Sequence, residues 1–102
     1  MKRADLVSTI SEKTGIPKVD VLLTIETMIK TIKQQLIDGE NVGFRGFGTF
    51  YPKMREAKVG RNIKKNIAID IPKHFIPAFR PNKEFSNEVK LKCKSYKGKI
   101  NE

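Results

Sequence analysis

The feature that most limits how this chain can fold is a long β-hairpin with too few large apolar side chains to pack on a core. Residues 46–48, Gly-Phe-Gly, turn the chain, and residues 49–59 then predict a long strand in which Pro52 is tolerated only at an edge or a bulge. Residues 67–71 have isoleucine at every second position and predict the returning strand. Because residues 60–66 are mostly charged or amide-bearing, the distal part of the hairpin is predicted to project into solvent and to be mobile when no ligand is bound.

Two helices are predicted ahead of the hairpin. The first ends at Thr14-Gly15, a stop of the left-handed type, and Pro17 suits the first turn of the second helix. Asp38-Gly39-Glu40 ends that second helix. Its apolar residues recur at steps of three and four, which is typical of one buried helix face. These residues are Leu22, Ile25, Ile29, Ile32 and Leu36.

The chain is predicted to be one α+β domain followed by a tail. Val42 and Phe44 predict a short strand, residues 75–79 lead back to the body, and Pro81 opens a last short helix. The predicted parts are a domain at 1–93, with a helical part at 1–40, a sheet and arm at 41–80 whose tip is 60–66, and a C-terminal helix at 81–93, then a basic flexible tail at 94–102.

The size of the predicted body favours a dimer. Without the polar hairpin and the tail, about 70–80 residues remain, which rarely supply enough core by themselves. The wide apolar face of the second helix therefore favours burial against a second chain. We expect an obligate dimer, formed either with an identical chain or with a related subunit.

The positive charge is concentrated in the second half of the chain. The net charge of +10 comes from 21 basic and 11 acidic residues. Residues 1–50 have a net charge of +1, residues 51–73 of +5 and residues 80–102 of +4. Such a concentration of one sign is typical of a face that binds a polyanion, so nucleic acid is the expected partner.

The residue types present argue against several other classes of protein. No apolar stretch approaches the ~20 residues that span a membrane, and the N-terminus lacks the apolar stretch of a secretory signal. Cys93 and His74 are the one cysteine and the one histidine, too few for a disulfide framework or a structural zinc site. No set of residues suited to catalysis converges. We expect a cytoplasmic, non-enzymatic protein without cofactor or metal.

RNA is the alternative partner. Arg45-Gly46-Phe47-Gly48 matches the start of the aromatic motif of RNA-recognition sheets, but Thr49 and Pro52 stand where that motif needs aromatic residues. That fold also begins with a strand, whereas this chain begins with two predicted helices. The second hypothesis is an RNA-binding or ribosome-associated basic protein that merely shares the charge pattern.

Four short motifs together resemble the HU/IHF family of bacterial architectural proteins. Their order and spacing match over about residues 1–92 without an insertion. They are Gly46-Phe47-Gly48-Thr49-Phe50, Gly60-Arg61-Asn62, Ile69-Asp70-Ile71-Pro72 and Pro77-Ala78-Phe79-Arg80-Pro81.

The resemblance implies an intertwined dimer with a helical base, a three-stranded antiparallel sheet and two protruding β-arms. The arms would bind double-stranded DNA from the minor-groove side and bend or wrap it, with a preference for bent, nicked or gapped sites. Such a protein would be nucleoid-associated and would compact the nucleoid. The residue types leave open whether binding is sequence-neutral, as in HU, or site-directed, as in IHF.

The resemblance also implies which residues contact DNA. Arg61 and Asn62 would lie nearest the floor of the minor groove. The full DNA-binding set is Gly46, Lys53, Arg55, Lys58, Arg61, Asn62, Ile63, Lys64, Lys65, Arg80 and Lys83. The core and dimer-interface set adds Phe44, Phe47, Phe50 and Phe79 to the apolar face of the second helix. Arg3 and Glu26 would form an ion pair across the helical base.

The predicted tip departs from the family pattern. Ile63 takes the position of a proline that wedges between base pairs, Lys65 replaces the usual threonine and Asn66 the usual glycine. Isoleucine is still an apolar wedge, but it lacks the fixed φ of proline, which predicts a less preorganised tip. Asn66 is expected to keep the turn, since asparagine tolerates positive φ.

Overall fold

A computed structural model describes residues 1–98, so the last four residues of the predicted tail lie outside the described part. Within that range the helices are α1 (Arg3–Thr14), α2 (Lys18–Ile37) and α3 (Lys83–Lys92). The strands are β1 (Val42–Phe44), β2 (Gly48–Arg55), β3 (Lys58–Asn62), β4 (Ile67–Ile71) and β5 (His74–Pro81). This order confirms the predicted fold of two N-terminal helices, an antiparallel sheet with a hairpin arm and a C-terminal helix.

The first two helices form the buried hydrophobic cluster of residues 1–98. Val7 of α1 packs with Val21 and Ile25 of α2, and these side chains are 6%, 4% and 8% exposed. The predicted end of α1 is confirmed at Gly15, which has a φ of 76°. Pro17 lies one position earlier than predicted, as the N-cap of α2, because its ψ of 143° is extended.

The predicted ion pair between Arg3 and Glu26 is present and joins α1 to α2. Arg3 Nη1 lies 3.0 Å from Glu26 Oε1, and the two side chains are 64% and 41% exposed. Such an exposed pair contributes about 0–1 kcal/mol. The predicted end of α2 is also confirmed, since Asp38 is its C-cap.

Much of the apolar face of α2 is not covered within one chain. Leu22, Ile32 and Leu36 are half-buried, and Ile29 is 40% exposed. Ile29 and Ile32 line an apolar groove of about 440 Å³. The facing wall of this groove is formed by Phe44, Phe47 and Phe50.

Strands β1, β2 and β5 form an antiparallel sheet with β2 in the middle. β1 pairs with residues 48–50 of β2, whereas β5 pairs with β2 along its whole length. Pro52 lies opposite Pro77, beyond the end of β1. Opposite residues of an antiparallel pair either exchange two N–H···O bonds or point their N–H groups away from each other. Pro52 and Pro77 have no N–H group, so they form a pair of the second kind. The positions where their N–H groups would lie therefore face the open edges of the sheet. This is the edge position predicted for Pro52.

The prediction of one continuous strand over 49–59 is wrong. The strand is interrupted at Glu56 and Ala57, and the returning strand is interrupted at Pro72 and Lys73. Pro72 has no N–H to donate, so the ladder stops at this point. Beyond it, β3 and β4 form a separate two-stranded sheet, called the arm here. The radius of gyration of 18.3 Å exceeds the ~13 Å of a compact chain of this length, as a projecting arm requires.

Asn82, not Pro81, opens the C-terminal helix. Asn82 Oδ1 accepts hydrogen bonds from the N–H groups of Glu84 at 2.9 Å and Phe85 at 3.4 Å. Pro81 is instead the last residue of β5, opposite Gly48. The Asn82 side chain accepts hydrogen bonds from N–H groups at the helix start. A proline would only have removed one such N–H group.

Packed aromatic rings, tilted against one another, join the sheet to α3. The ring centroid of Phe79 lies 4.8 Å from the centroid of Phe50 and 4.9 Å from the centroid of Phe47. The centroid of Phe47 lies in turn 5.4 Å from the centroid of Phe85 in α3. Gly48 lies beneath these rings. A Cβ atom at Gly48 would lie 2.6 Å from Phe79 Cζ and still closer to the Arg80 carbonyl oxygen, so the packing leaves no room for a side chain.

We predict that Gly48→Ala lowers the free energy of unfolding by about 1–3 kcal/mol, because the added methyl group must displace backbone and an aromatic ring. Denaturant unfolding at matched protein concentration measures this. Gly43→Ala is the control, since its Cβ would meet Thr49 Oγ1 at 3.5 Å, an ordinary contact. An equal loss in both variants would contradict the packing argument.

Candidate nucleic-acid interface

The register of β2 with β5 separates an aromatic face from a cationic face. Gly48, Phe50, Pro52 and Met54 alternate along β2 and face the core. The intervening residues of β2, with the residues of β5 opposite them, form the other face. This cationic face comprises Thr49, Tyr51, Lys53, Arg55, His74, Ile76, Ala78 and Arg80.

An aromatic side chain outside the predicted DNA-binding set holds Arg80 on the cationic face. Its guanidinium carbon lies 5.1 Å from the ring centroid of Tyr51, a cation–π contact worth about 0.5–1 kcal/mol at an exposed site. Tyr51 could have been found from the sequence, because it stands at the same alternating positions as Lys53 and Arg55. The contact limits the directions in which Arg80 can point.

The turn between β1 and β2 lies beside the start of α3. The Phe47 N–H donates to the Phe44 carbonyl at 3.0 Å, and Gly46 has a φ of 82°, which favours glycine. The Asn82 N–H donates to the Phe47 carbonyl at 2.7 Å. This bond brings the backbone around Gly46 close to the segment that carries Arg80 and Lys83.

Side-chain amides fix the tip of the arm. Asn62 Oδ1 accepts from the N–H groups of Lys64 at 3.1 Å and Lys65 at 3.3 Å. Arg61 Nη1 donates to Asn66 Oδ1 at 3.2 Å, and the prediction that Asn66 adopts positive φ is confirmed at 52°. These hydrogen bonds order the tip although it lacks a proline. The residue types alone did not predict them.

Ile63 stands at the end of the arm, and its side chain is 90% exposed. Lys64 and Lys65 follow it in the turn, and both are exposed. The tip therefore presents one apolar side chain among cations.

No carboxylate neutralises the cations of the arm or the cationic face. Within residues 1–98 the ion pairs are Arg3–Glu26 and Lys92–Glu88, both on helices. The predicted DNA-binding residues thus fall into three places. Lys53, Arg55 and Arg80 lie on the sheet, Gly46 and Lys83 at the turn and helix start, and Lys58, Arg61, Asn62, Ile63, Lys64 and Lys65 on the arm.

Other kinds of site find no support in the described part of the chain. Residues 1–98 contain no group of three or more His, Cys, Asp or Glu side chains placed to hold a metal ion. Cys93 is a free, exposed thiol. None of the helices in this range combines the length and apolarity needed to cross a membrane.

Comparison with known proteins gives consistent matches. A family model described as "Bacterial DNA-binding protein" matches residues 1–90. DNA-binding protein HU of Clostridium pasteurianum is 36% identical over 89 residues, which are 87% of this chain and 98% of that protein. Integration host factor subunit beta of Marinobacter nauticus is 38% identical over 90 residues, covering 87% and 92%.

A solved structure is similar as well. The HU of Anabaena, in a cocrystal with DNA, superposes with a TM-score of 0.82 at 32% identity, covering 87% of this chain and 97% of that one. HU from Thermotoga maritima gives a TM-score of 0.61 at 27% identity.

We predict that Asn66→Ala opens the tip, whereas Asn66→Gly does not. Alanine at a φ of 52° costs about 1–2 kcal/mol, and glycine is free of this strain. Cross-strand NOE intensities between β3 and β4 report how much of the arm stays paired. Equal intensities in the alanine and glycine variants would show that the backbone conformation of Asn66 does not hold the turn.

Proposed function

The chain belongs to the HU/IHF family of bacterial DNA-binding proteins and is an HU-type, non-enzymatic architectural protein; we propose that its arm enters the minor groove of duplex DNA and bends it. The observation that carries this proposal is the cationic face, which continues onto a projecting arm whose cations have no carboxylate partners. The family assignment favours DNA over the RNA-binding alternative.

The cations of the sheet would hold phosphates beside the kink. Lys53, Arg55 and Arg80 share one face of the sheet, and Lys83 lies beside the Gly46 turn. Each phosphate that a cation neutralises releases counterions, so affinity is expected to fall steeply with salt. This part of the interface supplies affinity and direction rather than sequence readout.

The arm would supply the bend. Ile63 is an exposed apolar side chain at its end, of the kind that unstacks a base step when it is inserted from the minor groove. Arg61 and Asn62 flank it and would contact the groove. Bending costs on the order of 1–6 kcal/mol, offset by the contacts that a bent duplex makes with the sheet. Bent, nicked or gapped sites need less free energy to bend, so the protein would prefer them.

We propose that the functional unit is an intertwined dimer, as HU and IHF proteins form. Each chain leaves Ile29 40%, Phe47 44% and Phe75 64% exposed beside apolar grooves of about 440 and 650 Å³. A second chain, identical or related, would cover these surfaces and place a second arm on the DNA. The dimer would act in the cytoplasm, on the nucleoid, which it would compact.

We predict that Ile63→Ala reduces DNA bending but leaves the salt dependence of binding nearly unchanged, because it removes the wedge and no charge.

Arg61→Ala should weaken binding and reduce the slope of log K against log salt by about 0.9 for each phosphate that the variant no longer neutralises. End-to-end FRET on a mixed-sequence duplex of about three helical turns, titrated at several salt concentrations, reports both quantities.

Lys13→Ala is the matched control for Arg61→Ala, since Lys13 is an exposed cation in the last turn of α1, away from the arm. If Arg61→Ala binds DNA with the affinity of the wild type at low salt, the arm does not bind DNA as proposed. Full bending by Ile63→Ala would show that another group makes the kink. If the wild-type protein fails to bind duplex DNA at low salt, the proposed function is wrong.

We predict that Ile29→Glu breaks the dimer, because it places a carboxylate in the apolar groove. Val19→Glu is the control, since Val19 is 72% exposed in the first turn of α2 and does not line the groove. Sedimentation at micromolar concentration should give a dimer for the wild type and the control, and a monomeric or unfolded chain for Ile29→Glu. A monomeric, folded wild type would contradict the proposal.

A further inference from the structure

The one histidine of the chain lies on the cationic face, at the point where the sheet meets the arm. His74 is the first residue of β5, and the register sets it directly opposite Arg55, the last residue of β2. Both side chains are exposed. Directly opposite residues of an antiparallel pair have Cβ atoms about 4.5–5.5 Å apart, so the imidazole and the guanidinium can reach the same anion.

A hydrogen bond to the backbone determines which ring nitrogen of His74 is free. His74 Nδ1 donates to the Pro72 carbonyl oxygen at 2.9 Å, because a carbonyl oxygen only accepts hydrogen bonds. In the neutral ring Nε2 is then left with a lone pair and no proton. Nε2 therefore accepts a hydrogen bond when the ring is neutral and donates one when the ring is protonated.

In the described part of the chain, the charged groups near this ring leave it without a carboxylate partner. Arg55 lies opposite, and Lys53 is the next residue of β2 on the same face. Glu56 and Lys73 adjoin the pair in the interruption between the two sheets. Asp70 is four residues away in β4, about 13 Å along an extended strand. An anionic ligand is therefore the partner that the protonated ring would meet.

We propose that His74 is a further phosphate contact of the DNA interface and that its protonation makes DNA binding depend on pH. This inference rests on the proposed function, which places the cationic face against phosphates. A phosphate oxygen offers no proton to the lone pair of a neutral Nε2. A protonated Nε2 donates to the same oxygen and adds a cation beside Arg55, which makes the contact a charge-assisted hydrogen bond.

The sign of the effect follows from this contact. Because the phosphate favours the protonated ring, binding takes up a proton, and affinity rises as the pH falls. Histidine is the side chain that ordinarily changes charge between about pH 5 and pH 8, whereas carboxylates change charge below about pH 5. The slope of log K against pH should reach at most about −1 for each chain that contacts the duplex.

The test measures dissociation constants for one DNA duplex at about pH 5.5 and about pH 8, at constant ionic strength. The proteins are the wild type, His74→Gln and His74→Lys. Glutamine has no charge at either pH, whereas lysine is charged at both. The wild type should bind about tenfold more tightly at the lower pH, as one charge-assisted contact predicts. His74→Gln should bind weakly and His74→Lys tightly, each with little difference between the two pH values.

Two outcomes would overturn the inference. One is a wild type whose affinity does not change with pH. The other is an undiminished change in His74→Gln, which would assign the titration to another group, such as the amine of Met1. Neither outcome touches the proposed function, which stands if the wild type binds duplex DNA at low salt and is wrong if it does not.

The single histidine allows a second measurement on the unmodified protein. The carbon-bound ring protons of His74 give NMR signals whose chemical shifts report the protonated fraction of the ring. At about pH 7, addition of the duplex should shift these signals towards their protonated positions. Signals that stay in place while the duplex binds would also overturn the inference.

Discussion

The antiparallel register of β2 with β5 is the constraint on which the aromatic cluster and the cationic face of this molecule both depend. Each step along the pair sends one side chain to the aromatic cluster and the next to the cationic face, so a shift by one residue would exchange the two sets. Gly48 fixes that register at one end, because the rings of Phe79 and its neighbours occupy the space of its missing side chain. The cationic face is thus positioned by the packing behind it, not by interactions among the cations.

Much of the fold could be read from the sequence, because its signals are local. The glycine stops of α1 and α2, the period-two isoleucines of β4 and the charge of the arm each depend on a few adjacent residues. The break at Glu56 and Ala57 could not be predicted in this way, since these residues lie opposite Pro72 and Lys73 of the other strand, and Pro72 has no N–H to donate. Asn82 was missed for a related reason. Its capping role depends on where β5 ends, which the pairing of Pro81 with Gly48 decides.

The candidate site also combines features that the sequence predicted with contacts that it did not predict. The residue types of the cationic face and the arm were visible in the sequence, and the family resemblance that they supported is confirmed. The contacts that orient them were not visible. Tyr51 lies beneath Arg80, and Asn62 and Asn66 hold the tip turn through their side-chain amides. These contacts join residues whose proximity follows from strand pairing and turn geometry, so composition and spacing could not specify them.

The proline pair in the sheet has a consequence for how the protein behaves at high concentration. Beyond the end of β1, β2 and β5 each have one open edge, and Pro52 and Pro77 leave each edge without a donor at that point. An open edge with a full row of donors is a template on which another chain can add a strand and begin a fibril. The two prolines interrupt that template on both sides. The sheet can therefore carry an extended arm without offering its flanks to edge-to-edge aggregation.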